Sequence, residues 1–258
     1  MILSIHPTAV IHDSVQIGEN VKIGPYSIIE KNVVIEDGVE IRSNVMVGEN
    51  TTLRSNCRLF HSAVVGEIPQ DLKFEGENTT TEIGENTVIR EFVTIHRGTD
   101  DREKTVIGRN CLLMAYVHVA HDCLVGDNVI LANAVNLAGH VTIEDYASLG
   151  GIVPVHQFVN IGAHCYIGGG YRVSKDVPPY ILASSEPLTF SGLNVIGLRR
   201  RGFTQENRTL IKRAYRLIFR SELNTSEAIE KIKSEFPQTE EIEHILDFYE
   251  KSERGVIG

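Results

Sequence analysis

Starting at Ile5 and stepping six residues at a time, the chain meets Ile11, Ile17, Ile23, Ile29, Ile35, Ile41, Val47, Leu53, Leu59 and Val65, all aliphatic. The pattern lapses at Asp71 and Glu77, returns in phase at Ile83, Ile89 and Ile95, lapses at Asp101, and then runs from Ile107 to Val173. The fifth position of each hexad is small or β-branched, as at Ala9, Val15, Val21, Ser27, Val117, Val129 and Val135. A period of six belongs to neither an amphipathic helix nor a coiled coil, and a β-sandwich would space its turns irregularly. The pattern predicts a triangular coil with three short strands per turn, aliphatic residues inside, and coils stacked at roughly 4.8 Å. Glycine often follows the aliphatic residue, as at Gly18, Gly24, Gly108 and Gly126, and is expected to serve a tight corner. Asparagine recurs beside it, a second residue tolerant of left-handed backbone.

Because both lapses keep the phase, they are insertions looped out of an intact coil, near residues 66–82 and 98–106. Loops on one face of a solenoid commonly carry function. The second insertion is highly charged and is expected to be exposed. After Val173 the register is expected to end at Val177-Pro178-Pro179. Thr204 then reads as the N-cap of an amphipathic helix to about Arg220, with Leu210, Ile211, Ala214, Tyr215 and Ile218 on one face. Thr225 or Ser226 starts a second helix, and Pro237 separates it from a third carrying Ile242, Ile245, Leu246 and Tyr249. The predicted organisation is a mainly β, coiled domain over 1–190 and a small α-helical domain over 191–258 that covers the raw strand edge.

Composition narrows the setting. The 258 residues include no Trp, which suits short repeated strands. No run of about 18 apolar residues exists, and Met1 to Val10 has neither a basic start nor an apolar stretch. These features predict no membrane span, no signal peptide and a cytoplasmic setting. A net charge of −9 opposes general binding to nucleic acid or anionic membranes. Between Leu188 and Arg220, however, eight basic residues face Glu206 alone, so an acidic partner or a phosphate could dock there. Cys57, Cys111, Cys123 and Cys165 all fall at the fifth hexad position and read as buried small hydrophobes, not as a disulfide framework or zinc site.

One coil is three hexads, so a step of 18 residues moves one rung up the same column. His121 faces outward with Gly139 and then Gln157 above it, roughly 5 and 10 Å away. Gly139 is expected to leave a gap over the imidazole. Asp122 lies below His140, and His118 lies under Asn136. A second column, Ala115, Asn133, Gly151 and Gly169, is nearly bare backbone and could form a channel for an extended chain. A histidine beside a carboxylate that fixes its tautomer is the equipment of a general base. No serine or cysteine sits in a nucleophile setting, which favours direct transfer. His6, His12 and His164 read as surface residues, whereas His118, His121, His140 and His156 form a functional group.

Several ordered motifs carry a more specific resemblance. Ile68-Pro69-Gln70-Asp71-Leu72-Lys73, Val93-Thr94-Ile95-His96-Arg97-Gly98, His118-Val119-Ala120-His121-Asp122-Cys123, Leu137-Ala138-Gly139-His140-Val141, Val155-His156-Gln157-Phe158 and Arg200-Arg201-Gly202-Phe203 closely resemble the UDP-N-acetylglucosamine O-acyltransferases of lipid A biosynthesis. The resemblance implies a left-handed parallel β-helix of hexapeptide repeats, a homotrimer and active sites in clefts between subunits. It implies a 3-hydroxyacyl donor on the phosphopantetheine of acyl carrier protein, the 3-position of UDP-N-acetylglucosamine or its 3-amino analogue as acceptor, and no metal or other cofactor. His121 matches the general base, Asp122 its orienting acid and Gly139 the oxyanion donor. Asp71, Lys73, His118, His140 and Gln157 match substrate contacts, and Asn194 and Arg200 match positions near the donor and nucleotide phosphates. Gly151 and Gly169 line the acyl channel, and Gly169 matches the position that limits acyl length. Ile196 stands where some members carry an acid. An acetyl-CoA-dependent hexapeptide transferase, a β-helical metal-dependent carbonic anhydrase and a non-catalytic scaffold are the competing readings.

Overall fold

The computed structural model describes residues 4–258; Met1, Ile2 and Leu3, part of the stretch read for a signal peptide, lie outside the described residues. The chain winds as a three-sided parallel β-helix. Its first sheet runs from Ser4–Ile5 up to Tyr166–Ile167 and closes with Ile181–Ser184 and Thr189–Leu193. The second runs from Val10–Ile11 to Pro154–Val155, and the third from Gln16–Ile17 to Asn160–Ile161. Adjacent rungs pair 18 residues apart, as Lys22 with Glu40 and His118 with Asn136. Across the first insertion the partners become Val64 and Thr94, and across the second Thr94 and His118. The insertions therefore lengthen the path without slipping the register, which keeps the aliphatic hexad residues inside. Ile23, Leu53, Ile89, Leu131 and Ile167 are at most 2% exposed.

The corners work differently from the sequence expectation. A non-glycine residue takes the left-handed position, asparagine more often than any other: Asn20, Asn32, Asn50, Asn110 and Asn128 have φ between +56° and +58°, and Tyr26, Phe92, Tyr116 and Ala134 take it at other corners. The glycine after the aliphatic residue answers a packing constraint instead. A Cβ on Gly108 would lie 2.4 Å from the Gly126 carbonyl oxygen, and one on Gly24 would lie 2.7 Å from the Arg42 carbonyl carbon. Glycine is there because successive coils approach closely.

Three further expectations need correction. The coil continues past Val177-Pro178-Pro179: Ile161 bridges Val177, and Ile181–Ser184 adds a last rung on Tyr166–Ile167. Thr189–Leu193 then folds back antiparallel, so strand structure ends three residues beyond the expected boundary at 190. A short helix, α1 (Val195–Arg200), follows at once and was not foreseen, because six residues carry no readable period. Helix α2 (Gln205–Arg220) has Thr204 as its N-cap, as expected, accepting from the Asn207 N–H. Helix α3 (Thr225–Glu235) starts at Thr225, as expected, and is capped by Asn224 in a reciprocal capping box with Glu227. Helix α4 is Glu240–Lys251.

The helices cover the top of the coil through both apolar and polar contacts. Tyr215, fully buried, donates its hydroxyl to the Pro179 carbonyl at 2.7 Å. His244 of α4 reaches the Tyr180 hydroxyl at 2.9 Å through Nδ1 and the Glu144 carboxylate at 2.8 Å through Nε2. None of the helices among the described residues is long and apolar enough to cross a membrane. All four cysteines are buried free thiols; burial pushes Cys111 up to about 11 and Cys57 and Cys123 up to about 12.

The close rung contact predicts that Gly108→Ala destabilises the fold by about 1–3 kcal/mol, the usual cost of overpacking. Asn128→Gly should stay within about 1 kcal/mol, because glycine accepts the same φ. Thermal unfolding of both variants measures the contrast.

Candidate active site

The corner between the second and third sheets gathers most of the candidate residues. Both insertions leave the coil there, between Val64–Glu67 and Thr80–Ile83 and between Thr94–His96 and Lys104–Ile107. His121 and Asp122 turn the same corner one rung higher, Gly139 and His140 the next, and Gln157 the one after. The rungs are locked by the His140 N–H donating to the His121 carbonyl at 3.1 Å and the Phe158 N–H to the Gly139 carbonyl at 3.2 Å. Along this edge the left-handed position, filled by Asn32 and Asn50 lower down, passes to Asp122 (φ +59°), His140 (+63°) and Phe158 (+64°). The left-handed conformation favours asparagine, so these positions give up local backbone preference for side chains that contact one another across the corner, Asp122 on His121 and Phe158 on His140.

Asp122 is fully buried. Its Oδ2 lies 2.7 Å from His121 Nδ1 and 2.7 Å from the Thr99 hydroxyl, and its Oδ1 accepts the Thr99 N–H at 2.9 Å. Burial works to raise its pKa, but the hydrogen bonds from His121, the Thr99 hydroxyl and the Thr99 N–H outweigh it and bring the carboxyl down to about 2. An ionised carboxylate only accepts, so His121 Nδ1 carries a hydrogen, and the neutral ring has its lone pair on Nε2.

That lone pair lies against Gly139. A Cβ there would sit 2.6 Å from His121 Cε1 and 2.8 Å from Nε2. The missing side chain is thus filled by the imidazole itself, not left as the open gap that the column predicted. At the edge between the third and first sheets, several corner N–H groups are taken by carboxylates from a neighbouring rung, as Arg109 by Asp127 at 2.9 Å and Asp127 by Asp145 at 2.7 Å. Among the described residues nothing accepts from the Gly139 N–H.

His140 packs edge-on to His121, with ring centroids 5.1 Å apart, and stacks on Phe158 at 4.5 Å. Burial lowers its pKa, against the opposing pull of Asp122. His118 sits on the face of the second sheet with Nδ1 on the Thr94 hydroxyl at 2.8 Å; burial, helped by neighbouring His96, brings it down to about 4, so it is neutral at neutral pH. His96 also holds the first insertion by bonding the Ile68 carbonyl, and Arg97 lies 5.5 Å from the Phe74 ring centroid. Asp71 and Lys73 ride on that loop, Lys73 exposed, with the Lys73 N–H donating to Asp71 Oδ1 at 3.0 Å. His121, Asp122 and His140 offer ligand-type atoms within 4.8 Å of one another, but both Asp122 oxygens are already engaged by hydrogen-bond donors.

The remaining candidates lie elsewhere on the chain. Gly151 and Gly169 follow each other on the corner between the first and second sheets, where Gly170 N–H donates to the Gly151 carbonyl at 2.9 Å. Asn194 and Arg200 line a cavity of about 650 Å³ between α1 and the outer face of the first sheet, with Ile130, Tyr166 and Ile196. Asn194 is the N-cap of α1: it accepts the Gly197 N–H at 3.1 Å and donates to the His164 carbonyl at 2.9 Å. The second sheet separates this group from His121. Thr99 and Arg102, which bind Asp122, were missed in the sequence. Charge suggested an exposed loop, yet Arg97, Gly98 and Thr99 are buried.

Comparison with known proteins fits this geometry. A profile described as Udp N-acetylglucosamine O-acyltransferase, domain 2, matches residues 176–257, and bacterial transferase hexapeptide repeats match 26–61 and 104–139. The acyl-[acyl-carrier-protein]–UDP-N-acetylglucosamine O-acyltransferase of Trichlorobacter lovleyi is 54% identical over 98% of this chain and 99% of its own. The chain belongs to the UDP-N-acetylglucosamine O-acyltransferase family. The same-named Aquifex aeolicus protein is also 54% identical, covering 98% of each chain. The solved UDP-N-acetylglucosamine acyltransferase of Bacteroides fragilis superposes with a TM-score of 0.96 at 49% identity, covering 98% of this chain and 99% of that one. As a member of this acyltransferase family, the chain is a left-handed parallel β-helix with a small helical C-terminal domain.

Two outcomes follow from the geometry. Gly139→Ala forces the imidazole off its position and should lower turnover by about a hundredfold while leaving the melting temperature of a corner site little changed. For Asp122, the folded pKa lies below the unfolded value, so its contribution to stability is present above about pH 4 and is lost as pH falls towards 2. The loss is on the order of 2 kcal/mol, measurable as the pH dependence of unfolding relative to Asp122→Asn.

Proposed function

We propose that this chain transfers a 3-hydroxyacyl group from acyl carrier protein to the 3-position of UDP-N-acetylglucosamine, the first step of lipid A biosynthesis. The observation that carries the reading is His121, with Nδ1 committed to Asp122 and Nε2 facing the bare backbone of Gly139. His121 Nε2 takes the proton of the sugar 3-hydroxyl as that oxygen attacks the thioester carbonyl. The Gly139 N–H, with no other acceptor among the described residues, steadies the oxyanion. Collapse breaks the carbon–sulfur bond, and the imidazolium returns its proton to the departing phosphopantetheine thiolate. Asp122 holds the imidazole in the required tautomer and stabilises the imidazolium. No other cofactor enters the step, and the setting is the cytoplasm.

Asp71, Lys73, His118, His140 and Gln157 contact the substrates around this corner. Asn194 and Arg200 serve the phosphates, and Gly151 and Gly169 the acyl chain. A full sheet lies between these groups and His121, which supports a homotrimer whose clefts join one subunit's His121 corner to the neighbour's α1 face. Closed rotational symmetry would repeat that contact three times. The exposed Lys212, Arg213, Arg216 and Arg220 of α2 suit an acidic carrier protein, whose docking they would steer.

Incubation with 3-hydroxyacyl carrier protein and UDP-N-acetylglucosamine or its 3-amino analogue, followed by product mass, tests the reaction. His121→Ala should lose at least about a hundredfold in turnover; full activity of that variant, or transfer from acetyl-CoA instead, would refute the reading. Co-assembly of inactive His121→Ala with inactive Arg200→Ala should regain activity if sites are shared, and no regain would confine each site to one subunit. Gly169→Met should shift the donor preference to shorter chains, with an unchanged preference counting against the channel.

A further inference from the structure

The second insertion has no part in the hexad pattern, and its sequence suggested only an exposed charged loop. Among the described residues, every non-imidazole donor to the Asp122 carboxylate comes from it. The Thr99 N–H reaches Oδ1 at 2.9 Å, the Thr99 hydroxyl Oδ2 at 2.7 Å, and the Arg102 N–H reaches Oδ1 at 3.3 Å. The Arg102 guanidinium donates to the Asp122 main-chain carbonyl at 2.9 Å and to Thr142 Oγ1 at 3.4 Å, tying the backbone of the acid to the next rung. Asp101 comes within 3.0 Å of His140 Nδ1 on the other side of the corner. The loop grips Asp122 by both side chain and backbone.

We infer that residues 97–103 form a clasp for the His121–Asp122 dyad, with Thr99 as a positioning residue for the transfer reaction. The inference rests on His121 being the base. Oδ2 receives the His121 Nδ1–H and the Thr99 hydroxyl, both at 2.7 Å, so the direction of the carboxylate sets the plane of the imidazole. The terminal torsion of an aspartate is broad and soft. Without the hydroxyl the carboxylate can turn, and the imidazole follows it away from the line to the sugar oxygen, where small misplacements cost large factors in rate. Thr99 is 7% exposed and acts through Asp122.

The test compares Thr99→Val, which keeps the N–H and the shape but removes the hydroxyl, with Thr99→Ser, which restores it. Thr99→Val should lower kcat at least about tenfold with KM for UDP-N-acetylglucosamine changed less than about twofold. The acidic limb of its kcat/KM profile should move to higher pH, because a carboxylate with one donor fewer holds a protonated partner more strongly. Thr99→Ser should return both to wild-type behaviour. Thr99→Ala, which removes atoms and adds none, must fall with Thr99→Val and stands in if that variant does not fold. Unchanged kcat in the hydroxyl-free variant, or equal loss in Thr99→Ser, overturns the clasp. If the wild-type chain itself fails to turn over these substrates, it is the proposed function that falls.

Discussion

Every rung of this molecule is hydrogen-bonded to the rung one coil away, and that pairing decides which side chains can meet. Side chains 18 residues apart stack in one column, so a corner repeated along the chain becomes a continuous edge. The insertions would break a fold that depended on constant spacing. Here they change the pairing offset and leave the flanking aliphatic residues Val65, Ile83, Ile95 and Ile107 in the core, because a one-residue slip would turn every inward residue outward. The edge between the second and third sheets can therefore hold two loops and a histidine–aspartate pair without disturbing the core.

The chemistry proposed at that edge depends on a buried carboxylate that stays charged. An isolated ion at full burial would be neutralised, and Asp122 avoids this by receiving donors from the imidazole and from the second insertion. The same donors fix its direction, which fixes the tautomer of His121. Gly139 completes the arrangement by lacking the atom that would collide with the imidazole. Charge, orientation and space are thus supplied by three different rungs.

The coil is legible in the sequence because its core residues repeat strictly, and the step of 18 by itself places His121 with Gly139 and Asp122 with His140. The α2 helix was legible from its apolar stripe and its threonine cap. The role of glycine differs from its sequence reading, since sequence shows that a residue is small but not whether φ or a neighbouring rung requires it; positive φ falls to asparagine and other non-glycine residues, and close approach to Gly24 and Gly108. Thr99 was hidden because an insertion has no period from which to count. Asp100, Asp101, Arg102, Glu103 and Lys104 around it suggested solvent, whereas the loop turns its Thr99 side chain inward. Helix α1 and the Asn224 cap were missed for a similar reason: short elements are set by local contacts that composition does not reveal.

The account turns on which imidazole nitrogen of His121 carries the proton. Nitrogen-15 NMR of histidine-labelled protein at mildly alkaline pH reads this directly. The account predicts a protonated Nδ1 and a bare Nε2 for His121, a preference lost in Asp122→Asn. A protonated Nε2 in the wild-type protein, or a tautomer indifferent to Asp122→Asn, would contradict it.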